Sequence, residues 1–192
     1  MHANVLLAQV RRRGDAWYLK ALEPPPDGVP IEPNFDPLED LIGTAHAGGL
    51  AVHAFVIAGA VWNRDPASNT GRPSSAMHVF NRHGGYDTAS RTIAAGAGNW
   101  LTRTLVTDGS GDVSYQGHRI GSDFWIDPGH PGAAAYTVAV LTHLVRAYDI
   151  DGLHLDRIRY PEIAVSGQTM QSGASIGYNP TSVARFDRRY RT

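Results

Sequence analysis

A carboxylate and an imidazole, two groups able to take part in proton transfer or nucleophilic attack, lie two residues apart in the segment Gly152–Asp156. Side chains alternate between the faces of a strand, so His154 and Asp156 would share one face, and Leu153 and Leu155 the other. The apolar face suits packing against helices, so we expect the polar face to point inward. Asp156 ends the segment, and active sites of parallel α/β folds lie at the carboxyl ends of strands. We therefore predict that Asp156 and His154 are catalytic.

Two further segments bring polar side chains to similar positions. In Val5–Arg11, alternation places Gln9 and Arg11 on one face near the carboxyl end. In the next apolar segment, Val52–Ile57, His53 shares a face with Phe55 and Ile57. Buried polar groups cost free energy unless they are paired, so polar ends on three strands are hard to explain by packing alone. We expect these three residues to lie close to Asp156, although a single strand histidine is often a hydrogen-bonded core residue.

The arginines after Asp156 bear on its charge. Arg157 and Arg159 would favour the ionised carboxylate, which suits a nucleophile or a stabiliser of a cationic transition state. Pairing of these arginines with surface acids is an equally compatible interpretation. Asp156 is also compatible with a role in capping a loop.

Aromatic residues lie at or near the predicted strand ends, and flat aromatic faces suit sugar rings. These residues are Trp17, Tyr18, Trp62, Trp125 and Tyr160. Each is as compatible with a core position as with a sugar-binding platform.

Strand and helix patterns alternate along the chain, which predicts an α/β fold with a parallel sheet. Strands are predicted at Val5–Val10, Leu50–Ile57, Phe124–Ile126 and Gly152–Asp156, and helices begin near Asp36, Pro131 and Asn179. Residues 58–122 are rich in Gly, Asn, Asp, Ser and Arg. We expect a long irregular insertion there, with one helix from about Thr88 to Leu101.

Length and composition exclude several classes of protein. A chain of 192 residues, 42% hydrophobic and 18% charged, predicts one folded domain. The net charge of −1 gives no basic field for nucleic acid, and no apolar run reaches the ~18 residues of a membrane helix. The absence of cysteine excludes disulfides, thiol nucleophiles and cysteine-bound zinc. No phosphate-binding glycine motif is present, and no cofactor is expected. The nucleophile elbow of serine hydrolases is also absent from the sequence.

Several segments, in this order, resemble the glycosyl hydrolase-like 10 family. They are AQVRRRGDAWY (8–18), FDPLEDLIGTAHAGGLAVHAF (35–55), FWIDPGHPG (124–132) and YDIDGLHLDRIRYP (148–161). The segment YNPTSVARFDRRY (178–190) is also similar to the downstream helix of that family. The combined match is specific, although no single motif is.

The resemblance implies a TIM-barrel glycosidase that hydrolyses O-glycosidic bonds in a polysaccharide or cell-wall glycan. It carries Asp156 over as the acid ending the fourth strand, which related barrels use as nucleophile. It implies substrate contacts for the residues that match the family's QVR-GD-Y, third-strand and fourth-loop signatures: Gln9, Arg11, Asp15, Tyr18, His53, Arg159 and Tyr160. Many relatives carry a second acid where this chain has Arg157, which argues against a double-carboxylate role there. Family members are commonly exported bacterial proteins, so the resemblance implies a periplasmic or extracellular location.

The extent of the chain is shorter than the family fold. A full (β/α)₈ barrel takes about 250 residues, so we expect residues 1–192 to form a single incomplete domain, a partial barrel of strands two to four. Glycosidases need two carboxylates. In related barrels the acid/base comes from a later strand, so we expect the proton donor outside this chain, with Glu162 as the nearest alternative.

Two other functions fit the same residues. In a metal-dependent hydrolase, His53, His154 and Asp156 would be the ligands, although further ligands are not evident. In a non-catalytic glycan-binding fragment, the second acid would not be needed. The glycosidase interpretation itself requires no metal, and the sequence does not determine the oligomeric state.

Overall fold

Short strands and capped helices alternate in the computed structural model, which describes residues 3–66, 68, 71–87, 92–93, 96–117, 119–120, 123–161 and 174–191. The strands are β1 (Val5–Arg11), β2 (Ala51–Ile57), β3 (Ala60–Trp62), β4 (Tyr86–Asp87), β5 (Thr92–Ile93), β6 (Arg103–Thr107), β7 (Val113–Gly117), β8 (Arg119–Ile120), β9 (Asp123–Trp125), β10 (Gly152–Asp156) and β11 (Ala174–Ile176). The helices are α1 (Pro37–Ala47), α2 (Val79–His83), α3 (Pro131–Ala147) and α4 (Pro180–Tyr190). None of the described helices is both long and apolar enough to cross a membrane.

A three-stranded parallel sheet, in the order β1-β2-β10, is the framework that positions the candidate site. Both outer strands pair with β2 in a parallel register, with Gln9 opposite Phe55 and His154 also opposite Phe55. The predicted α/β fold with a parallel sheet is confirmed. Because the strands are parallel, their carboxyl ends meet at one edge of the sheet, which we call the carboxyl edge.

One face of this sheet is covered by helices. The other is open except near the carboxyl edge, where Ile57 packs against Ala60 and Trp125 of the insertion. Val52, Ala54 and Val56 of β2 are fully buried in a core that includes Leu38 of α1 and Leu144 of α3. The opposite face carries Leu7, Gln9, His53, Phe55, His154 and Asp156, and we call it the open face. Leu7 is 57% exposed there. Parallel sheets are ordinarily covered on both faces, so this exposure is unusual for the architecture.

The predicted helix starts are confirmed by their capping residues. Asp36 accepts hydrogen bonds from the backbone N–H groups of Leu38 and Glu39 at 3.1 and 3.4 Å, directly before Pro37. Asn179 caps α4 in the same way, through the N–H of Thr181 at 3.0 Å. These short side-chain acceptors satisfy N–H groups that have no partner within the helix.

The insertion between β2 and β9 differs from the prediction. Residues 58–122 contain short strands and α2, and they form antiparallel pairs such as β3 with β9 and β6 with β7. The helix predicted from Thr88 to Leu101 is wrong in the described residues, since Thr92–Ile93 is a strand that pairs with Tyr86–Asp87. The apolar residues of the segment Thr88–Leu101 have no sustained helical period that would favour a helix over this pairing. The insertion forms a second core around Phe80 and Phe124.

Helix α3 carries apolar residues on two of its faces, and one of these faces is less buried than the other. Leu144 is buried in the core against the sheet and Val140 is 3% exposed, whereas Val138 and Val145 are 62% and 51% exposed. Periodicity finds apolar stripes along a helix, but the rotation of the helix against the sheet selects the one that is buried.

A buried ion pair joins β1 to the loop that follows it. Arg11 Nε lies 2.6 Å from Glu23 Oε2, and both side chains are almost completely buried. The Tyr136 hydroxyl on α3 donates a hydrogen bond to Glu23 at 2.6 Å, and Arg11 also donates to the carbonyl oxygens of Ile57 and Ala58. Burial alone would lower the pKa of the Arg11 guanidinium, but the Glu23 carboxylate outweighs it and raises that pKa above its ordinary value. The pair therefore connects β1, β2 and α3 beneath the carboxyl edge.

Glu23→Gln removes the negative charge that compensates Arg11 in the interior. We expect the free energy of unfolding to fall by about 3–5 kcal/mol, because breaking a buried ion pair leaves one charge uncompensated. Urea unfolding at pH 7, followed by circular dichroism, measures the change.

Glu39→Gln is the matched control for this variant. Glu39 pairs with Lys20 at 2.8 Å on the surface, where both side chains are about half exposed, so its loss should cost at most about 1 kcal/mol. Equal losses in the two variants would contradict the role assigned to the buried pair.

Candidate active site

Asp156 ends β10 at the carboxyl edge, as the sequence predicts. It pairs with Ile57 at the end of β2, and its carbonyl oxygen accepts a hydrogen bond from the N–H of Ala58 at 2.9 Å. The side chain is partly buried. The carboxylate therefore stands where two parallel strands finish together, which is the usual place for catalytic groups in parallel α/β folds.

The alternation predicted for β10 is present in the structure. Leu153 and Leu155 are opposite Ala54 and Val56, so they lie on the helix-covered face of the sheet. His154 and Asp156 lie on the open face. Leu155 is nonetheless 38% exposed, because β10 is an edge strand of this sheet.

Across the open face, one row contains Gln9 of β1, Phe55 of β2 and His154 of β10. The rings of Phe55 and His154 have centroids 5.1 Å apart and are inclined by 32°. Gln9 and His154 are exposed, and Phe55 is partly buried. The row provides hydrogen-bonding groups beside an aromatic surface, one step below Asp156.

A second row, one step further from the carboxyl edge, contains Leu7, His53 and Gly152. A Cβ atom on Gly152 would lie only 2.6 Å from His53 Cδ2, so the imidazole lies directly across the glycine backbone. The absence of a side chain at position 152 is what allows His53 this orientation.

Arg11 does not join Gln9 on the open face. The register of β1 against β2 shifts between Gln9 and Arg11, so that Arg11 is opposite Val56, on the helix-covered side. Strict alternation placed it with Gln9, and the bulge breaks that alternation. Its guanidinium is 2% exposed and engaged by Glu23.

Three of the predicted aromatic residues are packed into the core. Tyr18 is 3% exposed and makes an edge contact with Tyr148, with ring centroids 5.4 Å apart. Burial first, and the nearby Glu23 carboxylate second, raise the pKa of Tyr18 to about 12. Trp62 is 3% exposed in the core of the insertion, and Trp125 is 5% exposed against Ile57. Trp17 is 36% exposed.

Asp15 and His78 hold the backbone of the turn after β1 around Arg13. The Asp15 carboxylate accepts hydrogen bonds from the N–H groups of Arg12 and Arg13 at 3.0 and 3.1 Å. His78 Nε2 donates to the Arg13 carbonyl oxygen at 2.9 Å, while His78 Nδ1 accepts from the N–H of Phe80 at 3.1 Å. Acceptance at Nδ1 requires the neutral imidazole, and burial lowers the pKa of His78. The Asp15 carboxylate, predicted to contact substrate, is therefore bonded to the backbone of this turn.

Asp123 of β9 connects two arginines, and it is not among the residues that the sequence predicts for the site. Its carboxylate is 2.7 Å from Arg13 Nε and 2.9 Å from an Arg157 terminal nitrogen, and it is 3% exposed. We call these three residues the arginine bridge. Arg157 has a left-handed backbone with φ of 51°, rare for a residue other than glycine. Its guanidinium is thus on Asp123, and no local pattern in the sequence signals a pair 34 residues apart.

Asp127 organises the loop that follows β10. Its fully buried carboxylate accepts hydrogen bonds from the Gly129 N–H at 2.8 Å, the Ser182 hydroxyl at 2.9 Å and the Tyr160 hydroxyl at 3.1 Å. Burial and the Asp127 carboxylate raise the pKa of Tyr160 to about 12. Tyr160, 40% exposed, is thereby fixed near the carboxyl edge, and Arg159 beside it is exposed.

The ligand set of a metal-dependent hydrolase is not assembled. Within the described part of the chain, no three His, Cys, Asp or Glu side chains lie close enough together to hold a metal ion. His53, His154 and Asp156 share the open face, but they occupy three different rows of the sheet.

Comparison with known proteins identifies one family. The model of the family described as Glycosyl hydrolase-like 10 matches residues 1–175. A search of curated proteins found no match.

Gly152→Ala tests the close approach of His53. We expect the free energy of unfolding to fall by about 1–3 kcal/mol, because the added methyl group overlaps the imidazole and forces it aside. Gly43→Ala, in an exposed position of α1 with nothing within 4 Å of the added Cβ, should instead gain about 0.5–1 kcal/mol. A neutral Gly152→Ala would contradict the described orientation of His53.

His78 should make the stability of the fold depend on pH. A histidine whose pKa is lowered by folding binds a proton more readily in the unfolded chain, so stability falls as pH drops below the unfolded value of about 6.5. His78→Asn, which retains a capping side chain, should be less stable at pH 7.5 but lose less on acidification to pH 5. Urea midpoints at the two pH values measure this, and His143→Asn serves as control. Identical pH dependence in His78→Asn and the unaltered protein would contradict the assignment.

Proposed function

The chain belongs to the glycosyl hydrolase-like 10 family, and from this premise we propose that it provides the nucleophile side of an O-glycoside hydrolase. Membership supports a glycosidase-related function and a carbohydrate ligand. The single observation that carries the proposal is the position of Asp156, which ends β10 on the open face at the carboxyl edge.

We propose that the sheet β1-β2-β10 corresponds to strands two to four of a (β/α)₈ barrel and that residues 1–192 form one incomplete barrel domain. Parallel order, helices on one face and an open opposite face support this. In a barrel, the open face would be the inner wall, and the carboxyl edge would be the mouth that holds the active site.

Asp156 would act on the anomeric carbon. Glycoside hydrolysis passes through a transition state with oxocarbenium character, which a carboxylate stabilises either by its charge or by forming a covalent glycosyl intermediate. A carboxylate at the end of a strand is held by two backbone neighbours, here Ile57 and Ala58, so its position is set by the sheet rather than by a loop.

The neighbouring row would bind the sugar. Gln9 offers donors and an acceptor for hydroxyl groups, His154 offers ring nitrogens, and Phe55 an apolar surface for a sugar face. Tyr160 and Arg159, in the loop after β10, would contact the same ligand from the carboxyl edge. His53, one row lower, would contact it only if the sugar reaches further into the open face.

The proton donor has to be a second carboxyl group. Asp123 and Asp127 border the carboxyl edge, but each is buried and already accepts hydrogen bonds or ion pairs from neighbouring side chains. Neither faces a ligand on the open face. Glu162 lies outside the described residues. We therefore propose that the acid/base is supplied from outside residues 1–192.

The same observation favours a second candidate, a glycan-binding function without cleavage. A site with one available carboxylate can bind and orient a sugar without completing the proton transfers of hydrolysis. The two candidates share the ligand and differ only in turnover.

Asp156→Asn tests the catalytic assignment in a protein that joins residues 1–192 to the segment supplying the acid/base. We expect kcat/KM for glycan cleavage to fall by roughly a thousandfold or more, because the amide can neither attack nor stabilise a cation as a carboxylate does. Reducing-end release from polysaccharide substrates measures the rate, and circular dichroism verifies the fold.

Asp149→Asn is the matched control, since Asp149 lies on the surface before β10 with its side chain 95% exposed. Unchanged turnover in Asp156→Asn would reject the assignment. Binding of oligosaccharides without hydrolysis by that same joined protein, with Asp156 unaltered, would favour the glycan-binding candidate.

A further inference from the structure

The arginine bridge lies beside the proposed nucleophile, and the role proposed for Asp156 does not use it. Arg157 directly follows Asp156, and its guanidinium carbon is 5.7 Å from the centroid of the Trp125 ring. Trp125 packs on Ile57, which is the pairing partner of Asp156. Chain adjacency and this packing therefore place the bridge at the carboxyl edge, on the side of the insertion.

The three side chains of the bridge carry an excess of positive charge. Two guanidinium groups share the single carboxylate of Asp123, which leaves a net charge of +1. The guanidinium side chain of Arg157 is 38% exposed and that of Arg13 is 18% exposed, whereas Asp123 is 3% exposed. The negative group is thus inside and the positive groups extend outward, which favours an anion at the surface of the cluster.

The arginines also retain hydrogen-bond donors. A guanidinium carries five N–H donors, and the contact with Asp123 uses Nε of Arg13 and one terminal nitrogen of Arg157. The planar arrangement of the remaining donors matches a carboxylate, which accepts two parallel hydrogen bonds from one arginine.

The backbone of Arg157 holds its side chain in this position. In a continued strand, Arg157 would lie on the helix-covered face with Leu153 and Leu155. At φ of 51° the chain leaves the strand, and the guanidinium reaches Asp123. Gly59 permits this turn, since a Cβ there would be 2.9 Å from Trp125 Cε3 and 3.1 Å from the Arg157 carbonyl oxygen.

We propose that Arg157 and Arg13 form a subsite for a carboxylate-bearing sugar, next to the sugar cleaved at Asp156. The ligand would be an acidic glycan, with the carboxylate on the outer side of the arginine bridge and the sugar ring extending over the open face. The proposal rests on the proposed glycan ligand, but it concerns recognition and can be tested without cleavage.

The experiment measures binding to a glycan array in which each carboxylated oligosaccharide is paired with its carboxyl-reduced form. We expect the unaltered protein to bind carboxylated members about tenfold or more tightly than their reduced partners, because charge-assisted hydrogen bonds to arginine are lost on reduction. Arg157→Gln should reduce this preference to about twofold or less. Arg157→Lys, which keeps the charge but not the planar donors, should give an intermediate preference.

Arg12→Gln is the matched control. Arg12 is exposed and lies in the same turn as Arg13, and its substitution removes the same charge. It should retain the preference. Arg13→Gln is a second variant that weakens the subsite without altering the left-handed residue, should Arg157→Gln fail to fold.

A preference below twofold in the unaltered protein, no binding of any carboxylated member, or an unchanged preference in both folded arginine variants would overturn the subsite. Cleavage of glycans without a preference for acidic ones would reject the subsite and leave the proposed function standing. Retention of acidic glycans through Arg157, with no cleavage, would reject hydrolysis and leave the subsite standing.

Discussion

The parallel register of β1, β2 and β10 is the constraint on which the rest of the molecule depends. It aligns His154 with Phe55 and Gln9, and it brings Asp156 to the same edge as the end of β2. Parallel strands require long connections, and these connections place α1 and α3 against one face of the sheet. Chemistry on the opposite face follows from this division, because the helix-covered face is filled by apolar side chains.

Buried carboxylates join the loops and the insertion to the strands of this sheet. Glu23 binds Arg11 beneath the carboxyl edge, Asp123 binds Arg13 and Arg157 above it, and Asp127 holds the loop after β10. Each has multiple partners, so the cost of removing its charge from water is compensated. They leave Asp156 as a partly buried carboxylate on the open face, which is why we give it the chemical role.

Polar groups of the site thus divide into those that fix geometry and those that face a ligand. Arg11, Asp15 and Tyr18 share a signature with Gln9 in the sequence, yet the first three contact the protein and only Gln9 is exposed on the open face.

Local sequence determined the elements and the faces that depend only on regular alternation. The capping residues Asp36 and Asn179 follow from residue type, because short polar side chains accept from the first N–H groups of a helix. The strand Gly152–Asp156 and the shared face of His154 and Asp156 follow from a period of 2 residues, which neighbouring residues alone impose. The tertiary structure decided the features that local patterns do not specify. The bulge that turned Arg11 away, the rotation of α3 that exposed Val138, and the pairing of Asp123 with Arg157 depend on contacts between distant segments, whose energies outweigh local preference.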